Sequence, residues 1–177
     1  MLKNKKQKYD EALVHQLNKI DDWWVYGSLG MRVPTAENRI KDIFYKIIRP
    51  FEVGNKGEFI FRIEGDNIQR ERHFHFLLTK STWKTKSICF LKNSIRRKIA
   101  ELKHVTNFRG EKTYPELASC SPHLEPYDPS LGAKWYIAKI ATDEKERLQG
   151  RSLTSCVDGM DWKLSSRLFH RMKSLPA

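Results

Sequence analysis

The sequence predicts one folded domain of the α+β class, and three observations carry that expectation. Two segments, 57–64 and 72–78, alternate apolar and polar residues at the period of a strand and flank a short polar stretch, as in a hairpin. Other segments, above all 34–50 and 85–103, repeat apolar residues at helical spacing. The length of 177 residues suits one hydrophobic core and is short for two, while nine Phe, five Trp and six Tyr supply bulky material that disordered chains lack.

In chain order, residues 1–8 carry four lysines and no acid, which reads as a solvated arm or a phosphate-contacting tail. Tyr9, Ala12, Leu13, Gln16, Leu17 and Ile20 have helical spacing, and Asp21 and Asp22 end that helix, so 1–22 form a basic arm and helix. Trp23 to Arg32 begins with aromatic and β-branched residues and reads as a strand loosened by Gly27 and Gly30. Pro34 and Thr35 open a helix through Ile40, Ile43, Phe44, Ile47 and Ile48, which Pro50 closes.

In the hairpin candidate, Phe59, Phe61 and Ile63 share one face, and Glu58, Ile60, Arg62 and Glu64 the other. Paired with 72–78, the first face gains Phe74, Phe76 and Leu78 as core, and the second gains His73 and His75 with Glu64 in register. The next helix, near 85–103, has the stripe Ile88, Leu91, Ile95, Ile99 and Leu102. Residues 106–117 are polar and turn-rich, 121–126 suit a short edge strand, and Asp128, Pro129 and Ser130 signal the start of a helix through Trp135 to Ile140. The main domain is thus expected over 23–142. A basic extension over 143–177 ends in an amphipathic helix candidate, Trp162 to Lys173, which either packs on the domain or begins something larger.

Charge narrows the function. The 33 Lys and Arg against 21 acids leave a net +12, so an anionic partner is expected. Between Lys80 and His104 there are eight Lys or Arg and one acid, Glu101. That helix face is either simply solvated or a set of backbone contacts to nucleic acid made by Lys80, Lys84, Lys86, Lys92, Arg96, Arg97 and Lys98. Trp83 reads as core or as an exposed platform for a base. Cys89, Cys120 and Cys156 are widely spaced, odd in number and without a CxxC pair, which suits reduced intracellular thiols. No apolar run approaches a membrane span and no apolar segment follows the basic N-terminus, so the chain reads as soluble and cytoplasmic.

Two groupings carry chemistry. His73 and His75 flank Phe74, so a strand puts both imidazoles on one side while Phe74 anchors in the core. With Glu64 they form a three-ligand set with open positions, suited to a divalent ion on phosphate oxygens, Mn²⁺ or Mg²⁺ rather than structural zinc. The plainer alternative is two half-exposed strand histidines. Tyr136 and Lys139, three apart on a helix, bring a phenol and an ammonium to one face. A phenol with a reference pKa of about 10 becomes a competent nucleophile when a nearby cation favours the phenolate. No phosphate-cradling glycine loop and no Ser/His/Asp arrangement appears.

The runs RHFHFLL and HLEPYDPSLGAKWYIAK together resemble the HUH endonuclease superfamily, most closely the single-tyrosine rolling-circle replication initiators of plasmids and small DNA viruses. The resemblance spans Trp23 to Thr142. It implies a mostly antiparallel sheet with packed helices, ferredoxin-like or similar to an RNA-recognition module. It further implies His73, His75 and Glu64 as ligands of Mn²⁺ or Mg²⁺, with Glu58 and Glu71 as weaker substitutes for Glu64, Tyr136 as nucleophile and Lys139 as its assistant. The implied reaction nicks and rejoins single-stranded or hairpin origin DNA through a 5′-phosphotyrosine, in a monomer or weak dimer that works with the host helicase and polymerase. Arg32 and Arg62, near the metal face, are phosphate-contact candidates. The first motif of such initiators would fall on Trp24 to Arg32, where the two glycines are atypical, and no Walker A sequence accompanies it. A single-tyrosine transposase shares the constellation, and a non-catalytic nucleic-acid-binding domain would share only the basic aromatic surface.

Overall fold

The expected hairpin forms the middle of the sheet. In the computed structural model, which describes residues 14–31, 35–64, 73–102, 105–106, 112–113, 117, 122–131 and 162–175, the strands are β1 (Trp23–Gly30), β2 (Phe59–Glu64), β3 (His73–Thr79), β4 (Val105–Thr106), β5 (Lys112–Thr113), β6 (His123–Pro126) and β7 (Trp162–Leu164). Five of them make one antiparallel sheet in the order β6-β1-β3-β2-β7, and β4 pairs with β5 apart from it. Helical segments are α1 (residues 14–18), α2 (Glu37–Ile48), α3 (Ile88–Glu101) and α4 (Ser166–Ser174). The architecture is α+β.

The register follows from the alternation. Phe59 stands opposite Leu78, Phe61 opposite Phe76 and Ile63 opposite Phe74, so six apolar side chains cover one face of the hairpin. Onto that face α2 delivers Ile40, Ile43, Phe44, Ile47 and Ile48, and α3 delivers Leu91, Ile95 and Ile99, all buried in one cluster. Phe44 sits at its centre, stacked on Phe61 at 4.4 Å between centroids and edge-on to Phe74 and Phe76. Ser87 caps α3 by accepting the Phe90 N–H at 3.4 Å. Pro50 falls inside the 3-10 turn Arg49–Phe51 that ends α2, as its missing N–H requires.

Gly27 does not loosen β1. It faces this core, where an added Cβ would overlap the Phe76 ring and lie 2.6 Å from Leu124 Cδ2. The close approach of side chains from both flanking strands therefore demands glycine there.

On the other face, the described residues build cover at one end. Val14, Leu17 and Ile20 meet Trp23, Ile60, Leu77, Leu164 and Leu168 in a second cluster, so both terminal segments fold onto the sheet and the packed unit reaches beyond 23–142 in each direction. The expected helix from Trp162 is corrected: Trp162–Leu164 is a strand on the free edge of β2, and the helix begins at Ser166. Ser165 makes the change of direction. Its N–H donates to Phe59 O at 3.0 Å, while its Oγ accepts from Phe59 N at 3.1 Å and from Leu168 N at 3.4 Å, which caps α4.

Charge seals this junction. Glu58, buried beneath α4, accepts hydrogen bonds from Arg167 Nε at 3.2 Å and Arg171 Nη1 at 2.7 Å. Arg171 also lies 2.8 Å from Asp22 and 3.3 Å from Asp21. Burial works against the Arg171 charge, and hydrogen bonds to Glu58 and Asp22 outweigh it, raising the pKa above its usual value. Among the described residues no helix is long and apolar enough to cross a membrane.

Candidate metal and nucleic-acid site

Pleating places His73, His75 and Leu77 on the face opposite Phe74 and Phe76. Leu77 enters the second cluster, whereas the two histidines lie beyond it and are half-buried. Their rings meet edge to face with centroids 4.9 Å apart. In register, Glu64 stands opposite His73 and Arg62 opposite His75 on one side, with Gly30 and Ser28 on the other. The β1 positions beside the histidines are thus small. The expected pairing of Glu64 with the histidine strand is present in the backbone; the Glu64 side chain lies outside the described residues.

A second aromatic joins the pair. Tyr26, diagonal to His75 across the small Ser28, stacks on the His75 ring at 5.7 Å and 14°, with its Oη 2.7 Å from His75 Nδ1. On the outer side, His123 of edge strand β6 presents its ring to Tyr26 at 6.5 Å and 74°. His123 Nε2 lies 3.3 Å from Glu125 Oε2. A continuous row of rings therefore runs His73, His75, Tyr26, His123. Sequence reading missed Tyr26 and His123. Their strands carry the right parity, but which strand flanks β3, and in what register, is a tertiary fact.

The two imidazoles fit a divalent cation as adjacent ligands with both rings partly accessible, and an acid at the Glu64 position is the right donor chemistry for a third. Among the described residues no group of three His, Cys, Asp or Glu side chains is close enough to hold an ion by itself. Glu58 is corrected as a substitute ligand. It precedes β2 at the end away from His73, and Arg167 and Arg171 engage it. Glu71, Arg32, Tyr136 and Lys139 lie outside the described residues.

The expected nucleic-acid contacts separate. Trp83 is corrected from base platform to core: it is 3% exposed, inside the cluster under α2 and α3. Arg62 occupies the histidine row as expected but is 4% exposed, so little of it meets an incoming phosphate. Lys80, just past the far end of β3, is roughly 15 Å along the strand from His75. Lys84, Lys86, Arg96 and Arg97 are exposed and Lys92 half-buried, yet α3 packs against the face opposite the histidines, so its basic side looks out from the other layer. Lys98 is held by Glu101 at 2.7 Å. Among these cations stands Phe90, 53% exposed, an aromatic that the helical stripe did not single out.

No family model, curated protein or solved structure matches this chain.

Proposed function

We propose that the chain is a metal-dependent nuclease of the HUH type, with the corresponding ferredoxin-like core, that nicks and rejoins single-stranded DNA to start rolling-circle replication. The observation that carries this reading is the side-by-side pair His73 and His75 on the partly open end of a sheet face, with Glu64 directly across from His73. A bound Mn²⁺ or Mg²⁺ would supply Lewis-acid polarisation of the scissile phosphate. His73, His75 and Glu64 would hold it.

Tyr136 Oη attacks phosphorus; the bond to the 3′ oxygen breaks, a 5′-phosphotyrosine forms, and the departing 3′ oxygen takes up a proton. Lys139 stabilises the phenolate and the charge growing on phosphate. The free 3′-hydroxyl primes synthesis, and a later 3′-hydroxyl attack on the phosphotyrosine restores the phosphodiester and the phenol. A single-tyrosine transposase would run the same steps on transposon ends.

The test is incubation of the protein with labelled single-stranded oligonucleotides and Mn²⁺, followed by a denaturing gel. A covalent adduct that disappears in Tyr136→Phe and with EDTA is expected. Binding without an adduct on any candidate origin or transposon end would leave a non-catalytic nucleic-acid-binding domain, the reading to which the basic outer side of α3 with Phe90 also lends itself.

A further inference from the structure

We infer that Tyr26 is a positioning residue for the metal site: its phenol oxygen accepts the Nδ1 proton of His75 and so presents Nε2 of that ring to the cation. The inference rests on the metal-site reading above and adds a residue that reading did not contain.

The geometry is specific. Tyr26 Oη and His75 Nδ1 are 2.7 Å apart, within the range of a good hydrogen bond, and the rings are nearly parallel. A neutral imidazole has one donor nitrogen and one acceptor nitrogen, so a partner that takes the Nδ1 proton leaves the lone pair on Nε2. Metal-bound histidines depend on such partners, and losing one typically costs 10- to 100-fold in metal affinity. Tyr26 is itself braced. It is half-buried against the cluster formed by α1 and α4 on one side, and His123 closes on its ring from the other. Its opposite neighbour across the strand pair is Leu77, which fixes the base of the ring. A phenol on a flexible loop would orient a ligand poorly; one on a central strand does so at little entropic cost.

Tyr26→Phe keeps the ring and removes only the hydroxyl. Mn²⁺ affinity, read from the electron paramagnetic resonance signal of free Mn²⁺, is expected to weaken about tenfold or more. Nitrogen-15 shifts of the His75 ring should move away from the Nε2-acceptor tautomer, while the melting temperature stays near that of the wild type. His75→Ala serves as reference and should lose Mn²⁺ binding outright.

Unchanged Mn²⁺ affinity and an unchanged His75 tautomer in Tyr26→Phe would overturn the positioning role and leave the metal site standing. Loss of the DNA adduct in Tyr26→Phe at unchanged Mn²⁺ affinity would also overturn it, placing Tyr26 on the DNA instead. A wild-type protein that binds no Mn²⁺ would instead sink the metal-site reading itself, and this role with it.

Discussion

One face of the central sheet is two surfaces. At one end Ile60, Leu77 and Leu164 lie under α1 and α4, dry and close-packed. A single register step along the same strands, the row becomes Arg62, His75, Ser28 and His123, and one step further Glu64, His73 and Gly30. The strands, their pleat and their pairing are common to both ends. What differs is the partner laid over them. Where the terminal segments supply Leu17, Leu164 and Leu168, burial favours apolar side chains by roughly 1.5–3 kcal/mol each. Beyond that described cover, the imidazoles of His73 and His75 are half-buried. A site can thus stand on a well-formed face beside its packed part, which lends it rigidity.

The comparison is broken most severely at the open end. Replacing His73 and His75 together by Ala should lower adduct formation on the order of 10³-fold, as expected for loss of a catalytic cation, while the melting temperature shifts by only a few degrees. A large loss of stability there would mean that the two ends are one packed surface after all.

The covered end should respond the opposite way. Leu168→Ala, at a fully buried position, should cost about 2–4 kcal/mol in denaturant unfolding. Any effect on Mn²⁺ binding should follow only through the bracing of Tyr26. Arg171→Ala is milder. Glu58 keeps Arg167 and the Thr79 hydroxyl but loses its shortest, charged partner, at about 1–3 kcal/mol. Equal stability of Arg171→Ala and the wild type would show that apolar packing alone holds α4.

The smallest expected effect sharpens a different contrast, between the histidine face and the basic outer side of α3. Replacing Lys86, Arg96 and Arg97 by Ala should reduce the salt dependence of single-stranded DNA binding by about 2 in the log-log slope if DNA wraps both layers. An unchanged slope would confine the DNA to the histidine side, near α4.

Much of this was legible beforehand because it is local. Alternation in 59–64 and 73–78 is a direct record of pleat parity, so the hairpin, its register and the shared side of His73, His75 and Glu64 followed from residue order alone. The stripes Ile40 to Ile48 and Leu91 to Ile99 likewise record which side of a helix is buried. The same local logic left Trp83 open between core and base platform, where the side chain fills the core, and it misled at Trp162, where helical spacing yielded to the free hydrogen-bonding edge of β2.

By itself, then, the sequence determined the central hairpin, the strand from Trp23, the helices α2 and α3, the two imidazoles on one side of β3 and a strongly basic chain. Only the tertiary structure decided that Tyr26 touches His75, that Glu58 serves the α4 junction rather than a metal, and that the basic side of α3 faces away from the histidines. Periodicity tells a side chain which way to point. What it meets there depends on segments far along the chain, 113 residues apart for Glu58 and Arg171, whose approach is set by the total of buried area and paired charge.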